Sequence, residues 1–145
     1  MPIRKMKEAD LPQVLALQQE LKFQDWNAKQ FLSEICADYA LCIVYETDIA
    51  DKIAGYAIFH LLGADSELLS IATAPDFQRS GIGTSLLQAG CKKLNFEAGD
   101  QIFLEVREGN EHARTFYEKH LFEAYSIRKK YYSDGENAIL YKKSR

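Results

Sequence analysis

Cysteine is scarce in this 145-residue chain, which holds Cys36, Cys42 and Cys91 and no others. Three is an odd number and no pair has CxxC spacing, which argues against a disulfide framework or a thiolate zinc site. The three read as small buried hydrophobes of a reducing compartment. Apolar runs are short, none approaching the ~18 residues of a membrane-spanning helix. No cationic leader precedes an apolar stretch at the N-terminus, so a cytoplasmic protein with no membrane contact is expected. Long basic runs are missing too. With a net charge of −3, a nucleic-acid partner has no electrostatic support. His60, His112 and His120 lack metal-ligand spacing, so they read as structural or surface residues and no metal is expected. Internal repeats and low-complexity segments are also missing.

What is present is an ordinary globular composition, 47% hydrophobic with eight Tyr and eight Phe. A chain of this size makes one domain, here residues 1–145, and buries about 68–70% of its unfolded surface without staples. Ile3 to Met6 reads as a short strand. Asp10-Leu11-Pro12-Gln13 has capping-box spacing before Leu11, Val14, Leu15 and Leu21, which recur at roughly helical intervals. Asn27-Ala28-Lys29-Gln30 repeats the cap signal, with Phe31, Leu32 and Ile35 on one helix face. Ala40 to Tyr45 and Ile53 to Leu62 read as an antiparallel hairpin, and Leu68 to Ala74 as a strand closed by Pro75. Leu86, Leu87, Gly90, Cys91 and Leu94 mark a helix. Ile102 to Arg107 is a strand, and Asn110 caps a helix through Lys119. Strands over Ala124–Tyr132 and Ala138–Lys142 flank a Ser133-Asp134-Gly135 turn. The order β-α-α-β-β-β-α-β-α-β-β gives an α/β (α+β) fold, a mixed sheet with helices on its faces.

The informative segment is Gln78-Arg79-Ser80-Gly81-Ile82-Gly83-Thr84, between a strand and a helix. Glycines there let backbone N–H groups converge on an anion, helped by the positive end of the helix dipole, and Arg79 adds a charge suited to phosphate. Pyrophosphate binding is the chemistry suggested. A P-loop fails because no Lys precedes Thr84-Ser85. A dinucleotide fingerprint fails because Leu86 stands where the third glycine belongs.

Gln78, Arg79, Gly81 and Gly83 match in place the Gln/Arg-x-x-Gly-x-Gly/Ala loop of the GNAT acetyltransferases, which the chain resembles. Leu104-Glu105-Val106-Arg107, Asn110, Ala113, Phe116-Tyr117-Glu118 and Phe122 are similar to the strand, Asn cap and Tyr-bearing helix of that superfamily. The resemblance covers essentially the whole chain. It implies the GNAT fold, with a mostly antiparallel mixed sheet flanked by helices on both faces, and acetyl-CoA as cosubstrate. Backbone at Ile71 and Thr73, the loop Gln78, Arg79, Ser80, Gly81, Gly83 and Thr84, and Asn110 would hold that ligand; a plain helix cap is an equal reading of Asn110.

Leu-Glu-Val-Arg-x-x-Asn, Arg128-Lys129-Lys130-Tyr131-Tyr132 and Asp134-Gly135-Glu136-Asn137-Ala138 resemble enzymes that acetylate protein N-termini. The nearest type is RimI, which acetylates a ribosomal-protein alanine. Leu121 replaces that family's usual Gly, and the turn after Tyr132 is shorter. The resemblance implies a peptide amine as acceptor, met by Phe23, Trp26, Tyr131 and Tyr132, and a monomer or weak homodimer. A free α-amine of pKa about 7.7–8.0 needs a base at neutral pH. Family position makes Glu105 that base, through water; its strand periodicity alone reads as a solvent-facing Glu beside Phe103 and Arg107. Tyr117 would protonate the departing thiolate; the other reading is a core aromatic beside Phe116. The oxyanion would meet a backbone N–H near Ile71. Two adjacent tyrosines on a strand face opposite ways, so one of Tyr131 and Tyr132 is expected in the core. Small-molecule amine acetylation and a non-catalytic CoA-binding module stay open as alternatives.

Overall fold

In the computed structural model, residues 2–22 and 24–145 are described, and their elements follow the expected order. These are β1 (Ile3–Lys5), α1 (Leu11–Leu21), α2 (Ala28–Cys36), β2 (Ala40–Glu46), β3 (Ile53–His60), β4 (Asp65–Thr73), α3 (Ile82–Cys91), β5 (Gln101–Arg107), α4 (Glu111–Lys119), β6 (Glu123–Arg128) and β7 (Ala138–Lys143). The strands hydrogen-bond in the order β1-β2-β3-β4-β5-β7-β6. β1–β2, β2–β3, β5–β7 and β6–β7 are antiparallel, whereas β4–β5 is parallel, so the sheet is mixed. The chain forms two compact units, Met1–Leu61 with Leu68–Lys93, and Leu62–Glu67 with Leu94–Arg145.

In the first unit β3 is buried from Ile53 to Phe59, on both of its faces. Val14 and Leu17 of α1, Phe31 of α2, Tyr56 and Ile58 share one cluster. Across the strand, Gly55 lies under α3, where an added Cβ would come within 2.7 Å of the Ala72 carbonyl and 3.2 Å of Ile82 and Leu86. Gly90 of α3 accepts the edge of the Phe59 ring, and any side chain there would collide with it. Helices therefore seal both faces of β3. α2 begins with the expected capping box: Asn27 Oδ1 accepts from Gln30 N–H and Gln30 Oε1 accepts from Asn27 N–H, each at 2.8 Å. Burial pushes the Tyr56 phenol up to about 12, and Ser70 Oγ donates to it at 3.4 Å.

The cap expected of Asp10 does not form. Pro12 at the second helical position has no N–H to give, and Asp10 is itself helical with no side-chain cap bond. Its carboxylate accepts two 2.9 Å bonds from Arg4 and one of 2.8 Å from Lys7 N–H. Charge-assisted bidentate pairing outweighs a neutral cap. Burial raises the Asp10 carboxyl, but those bonds more than offset it and hold the group below the ordinary carboxylate value. Gln13 instead pins the start of β3, accepting from Ile53 N–H at 2.8 Å. The cysteines also depart from expectation: Cys42 is buried, but Cys36 is exposed and Cys91 half-buried.

In the second unit the parallel ladder joins Asp65–Glu67 to Gln101–Phe103. Ile102, Leu104 and Val106 of β5 are buried on one face, with Ile139 and Tyr141 of β7. Tyr117 of α4 packs at 6.4 Å from Tyr141 and 5.6 Å from Phe122, so α4 covers that face. β6 stops at Arg128 rather than running to Tyr132. Asn137 Oδ1 captures Lys130 N–H at 2.9 Å and the Glu136 carbonyl takes Tyr132 N–H at 3.2 Å, which folds Lys129–Asn137 into a turn. Among the described residues, no helix is long and apolar enough to cross a membrane.

Candidate active site

The glycine turn belongs to the first unit. A 3₁₀ turn at Pro75–Phe77 ends β4, and Gln78 Nε2 bonds back to the Thr73 carbonyl at 3.3 Å. Ser80 Oγ donates to the Phe77 carbonyl. Arg79 (φ +65°) and Gly81 (φ +85°) both adopt the left-handed region, which reverses the chain into α3. Such alternation turns successive N–H groups toward one concavity. Gly81 is the N-cap without a side-chain bond, and Ser85 N–H is the donor that reaches its carbonyl. The amides of Ile82 and Gly83 therefore stand in the first turn, where a helix has no internal acceptor for them. An added Cβ at Gly81 would meet nothing within 4 Å, so the turn opens to solvent. Gln78, Arg79 and Ser80 are exposed and Thr84 half-buried. Ile71 and Thr73 share the half-buried face of β4, beyond the last β4–β5 pair. This geometry fits a diphosphate.

Trp26 is held in the same unit by Gln18, whose amide bonds both its N–H (2.9 Å) and its carbonyl (2.7 Å). Its indole lies 5.2 Å from the Phe31 ring. Phe23 lies outside the described residues.

The second unit brings Glu105, Arg128, Tyr131 and Tyr132 together. Register places Phe103, Glu105 and Arg107 on one face of β5, opposite the face packed by α4. Glu105 keeps 36% of its side chain exposed and lies 3.6 Å from Arg128 Nη1. The Glu105 carboxylate beside the Tyr131 phenol raises its pKa above the ordinary value. Arg128 lies 5.3 Å over the Tyr131 ring. Tyr131 and Tyr132 sit in the turn, not on a strand, with rings edge-on at 5.2 Å; Tyr131 is exposed and Tyr132 half-buried, so neither is core. The alternation argument fails because there is no strand there to impose it.

Tyr117 stands on the helix-covered side of β5, half-buried among Phe116, Phe122 and Tyr141. Burial, and then the neighbouring Tyr132, push its phenol well above the ordinary value. Asn110 Oδ1 caps α4 through Ala113 N–H at 3.1 Å.

Sequence reasoning missed the organiser of this unit, Arg107. Its guanidinium bonds Asp134 (2.9 Å) and Glu136 (3.0 Å) and stacks 4.0 Å over Tyr132. Glu136 also accepts from Gly109 N–H at 2.8 Å, where a side chain on residue 109 would clash. The Asp-Gly-Glu-Asn run was visible, but ion pairing across 27 and 29 residues has no local signature.

A seven-stranded mixed sheet with helices on its faces and a left-handed glycine turn between β4 and α3 is the scaffold of an acyltransferase. The profile of the Acetyltransferase (GNAT) family matches residues 9–122, and the chain belongs to that family of N-acetyltransferases. It is 31% identical over 141 residues to [Ribosomal protein bS18]-alanine N-acetyltransferase of Escherichia coli K12, covering 95% of this chain and 93% of that one. The crystal structure of the E. coli ribosomal-protein-S18-alanine N-acetyltransferase superposes with a TM-score of 0.84 at 30% identity, covering 97% and 91%. Chaetomium thermophilum Naa20, solved with a bisubstrate analogue, shares the fold at a TM-score of 0.88 and 19% identity, covering 99% and 86%.

Proposed function

We propose that this enzyme transfers the acetyl group of acetyl-CoA to the N-terminal amine of a protein, with a ribosomal-protein alanine as the RimI-like acceptor. The carrying observation is Glu105, a half-exposed carboxylate on the open face of β5 with Tyr131 and Arg128 at hand. The near-full-length similarity to the E. coli alanine acetyltransferase supports it. The same reading makes residues 1–145 one catalytic domain working in the cytoplasm.

The Arg79–Gly83 turn, with Ser80 and Thr84, receives the diphosphate through main-chain amides and the helix dipole. Main chain at Ile71 and Thr73 takes the pantetheine arm, and Asn110 adds a contact beside its capping role. The amine loses its proton to Glu105, directly or through water, and its lone pair attacks the thioester carbonyl. An N–H near Ile71 stabilises the oxyanion. As the C–S bond breaks, Tyr117 donates a hydrogen bond to the sulfur, and the adduct nitrogen gives its second proton to water. Raised by burial, this phenol stays protonated at neutral pH, and a phenol of pKa ~10 or more meets a thiolate of conjugate acid ~8.5 by hydrogen bonding rather than complete transfer. Trp26, Phe23, Tyr131 and Tyr132 receive the peptide.

The test follows thiol release with acetyl-CoA and N-terminal peptides beginning with Ala, Ser or Met, alongside a panel of polyamines and amino sugars. Peptide turnover is expected; turnover of small amines alone defeats the proposal. Glu105→Gln lowers kcat/KM about 100-fold, most strongly below the amine pKa, where more protons must be removed. Tyr117→Phe lowers kcat with acetyl-CoA affinity unchanged.

A further inference from the structure

The side of the β5–β7–β6 sheet that carries Glu105 differs from an ordinary solvated face. Solvated faces of antiparallel sheets place polar residues outward. Here Phe103 and Tyr125 stand outward as an edge-on pair with ring centroids 5.9 Å apart. Tyr125 is 47% exposed. A bulge between Ala124 and Ser126 shifts the pairing at this point, and Tyr125 is the residue without a β7 partner. Lys142, the cross-strand partner of both Phe103 and Glu123, lies 5.6 Å over the Tyr125 ring and covers one side of it. Arg128 and Tyr131, also exposed, continue the patch past Glu105. The result is an apolar strip rimmed by charges of both signs that begins at the Glu105 carboxylate and runs along the sheet. Exposed apolar surface with a polar rim marks interaction sites.

We propose that this strip docks the acceptor chain downstream of its reactive amine, seating an apolar side chain from its third or fourth residue on Phe103 and Tyr125. The inference rests on the peptide-acetylation reading and adds a specificity surface to it. Its occupant follows from continuity and length. Phe103 and Glu105 are two residues apart on one strand face, about 7 Å, and Tyr125 lies a little further. An extended chain advances about 3.3 Å per residue, so a chain whose first residue is at Glu105 reaches the aromatic pair two to three residues later. The charges along the strip, Glu123, Lys142, Glu105 and Arg128, alternate in sign, which favours an uncharged side chain between them over an acidic or basic one.

The experiment compares the intact enzyme with Tyr125→Ala and Tyr125→Phe on three peptides sharing their first two residues. These are a dipeptide amide, an eight-residue peptide with Leu at positions three and four, and the same peptide with Ser there. The Leu peptide is expected to show a KM about tenfold below the other two with the native enzyme. Tyr125→Ala abolishes that advantage, Tyr125→Phe restores it, and the KM for acetyl-CoA stays within twofold throughout. An equal KM for Leu and Ser peptides, or an advantage that survives Tyr125→Ala, overturns the docking surface while leaving peptide acetylation intact. Failure of the native enzyme on all three peptides, with small amines accepted, overturns the acetylation reading and removes the occupant with it.

Discussion

Strands β3 and β6 are the two extremes of this molecule. β3 is buried at every residue from Ile53 to Phe59, whereas β6 is exposed at all six of its residues. Every β3 side chain is chosen by what touches it, down to the hydrogen at Gly55 that admits the Ala72 carbonyl. The β6 side chains answer to no such demand, and Tyr125, Ile127 and Arg128 are all exposed. β3 is committed to packing on both of its faces and β6 on neither.

The largest effect should come from attacking the packed side. Phe31 is fully buried and touches the rings of Trp26 and Tyr56. Phe31→Ala should cost about 3–5 kcal/mol, read as a lower urea midpoint at unchanged slope; a loss below 1 kcal/mol would show that the cluster repacks and that burial does not dictate this unit.

The same contrast decides what could be read from the sequence. Phe31, Leu86, Leu87, the Asn27–Gln30 box and the glycine turn were legible because burial periodicity and capping are local. The element order followed from them. Asp10 misled because its partner, Arg4, lies outside the helix it was expected to cap, and Pro12 had removed a donor. The Lys129–Asn137 turn misled because β-rich composition continues through Tyr131-Tyr132 while the hydrogen bonds that end β6 come from Glu136 and Asn137. That Glu105 and Tyr117 lie on opposite sides of β5 needed the register of three strands.

A middle-sized effect is expected at Asp10, which is 5% exposed and paired with Arg4. Asp10→Asn should cost about 2 kcal/mol, less than a fully buried pair because Arg4 is partly exposed. Since the folded carboxyl lies below its unfolded value, its contribution is complete above about pH 4 and fades as pH falls through the folded pKa. The difference between native and variant stability should therefore shrink on acidification; a pH-independent difference would mean the charge is not what holds the pair.

The smallest effect belongs to β6. Ile127 is half exposed, and Ile127→Lys should change the melting free energy by less than about 0.5 kcal/mol. A larger loss would erase the contrast between the strands.

One guanidinium, that of Arg107, holds the Tyr131–Asn137 turn to the strand through two carboxylates, and both ion pairs are partly exposed. Mobile ions weaken such contacts once the Debye length falls from about 10 Å at 0.1 M toward about 3 Å at 1 M. Rising salt thus loosens this turn, and with it the placement of the Tyr131 and Tyr132 rings, before it disturbs the buried strands.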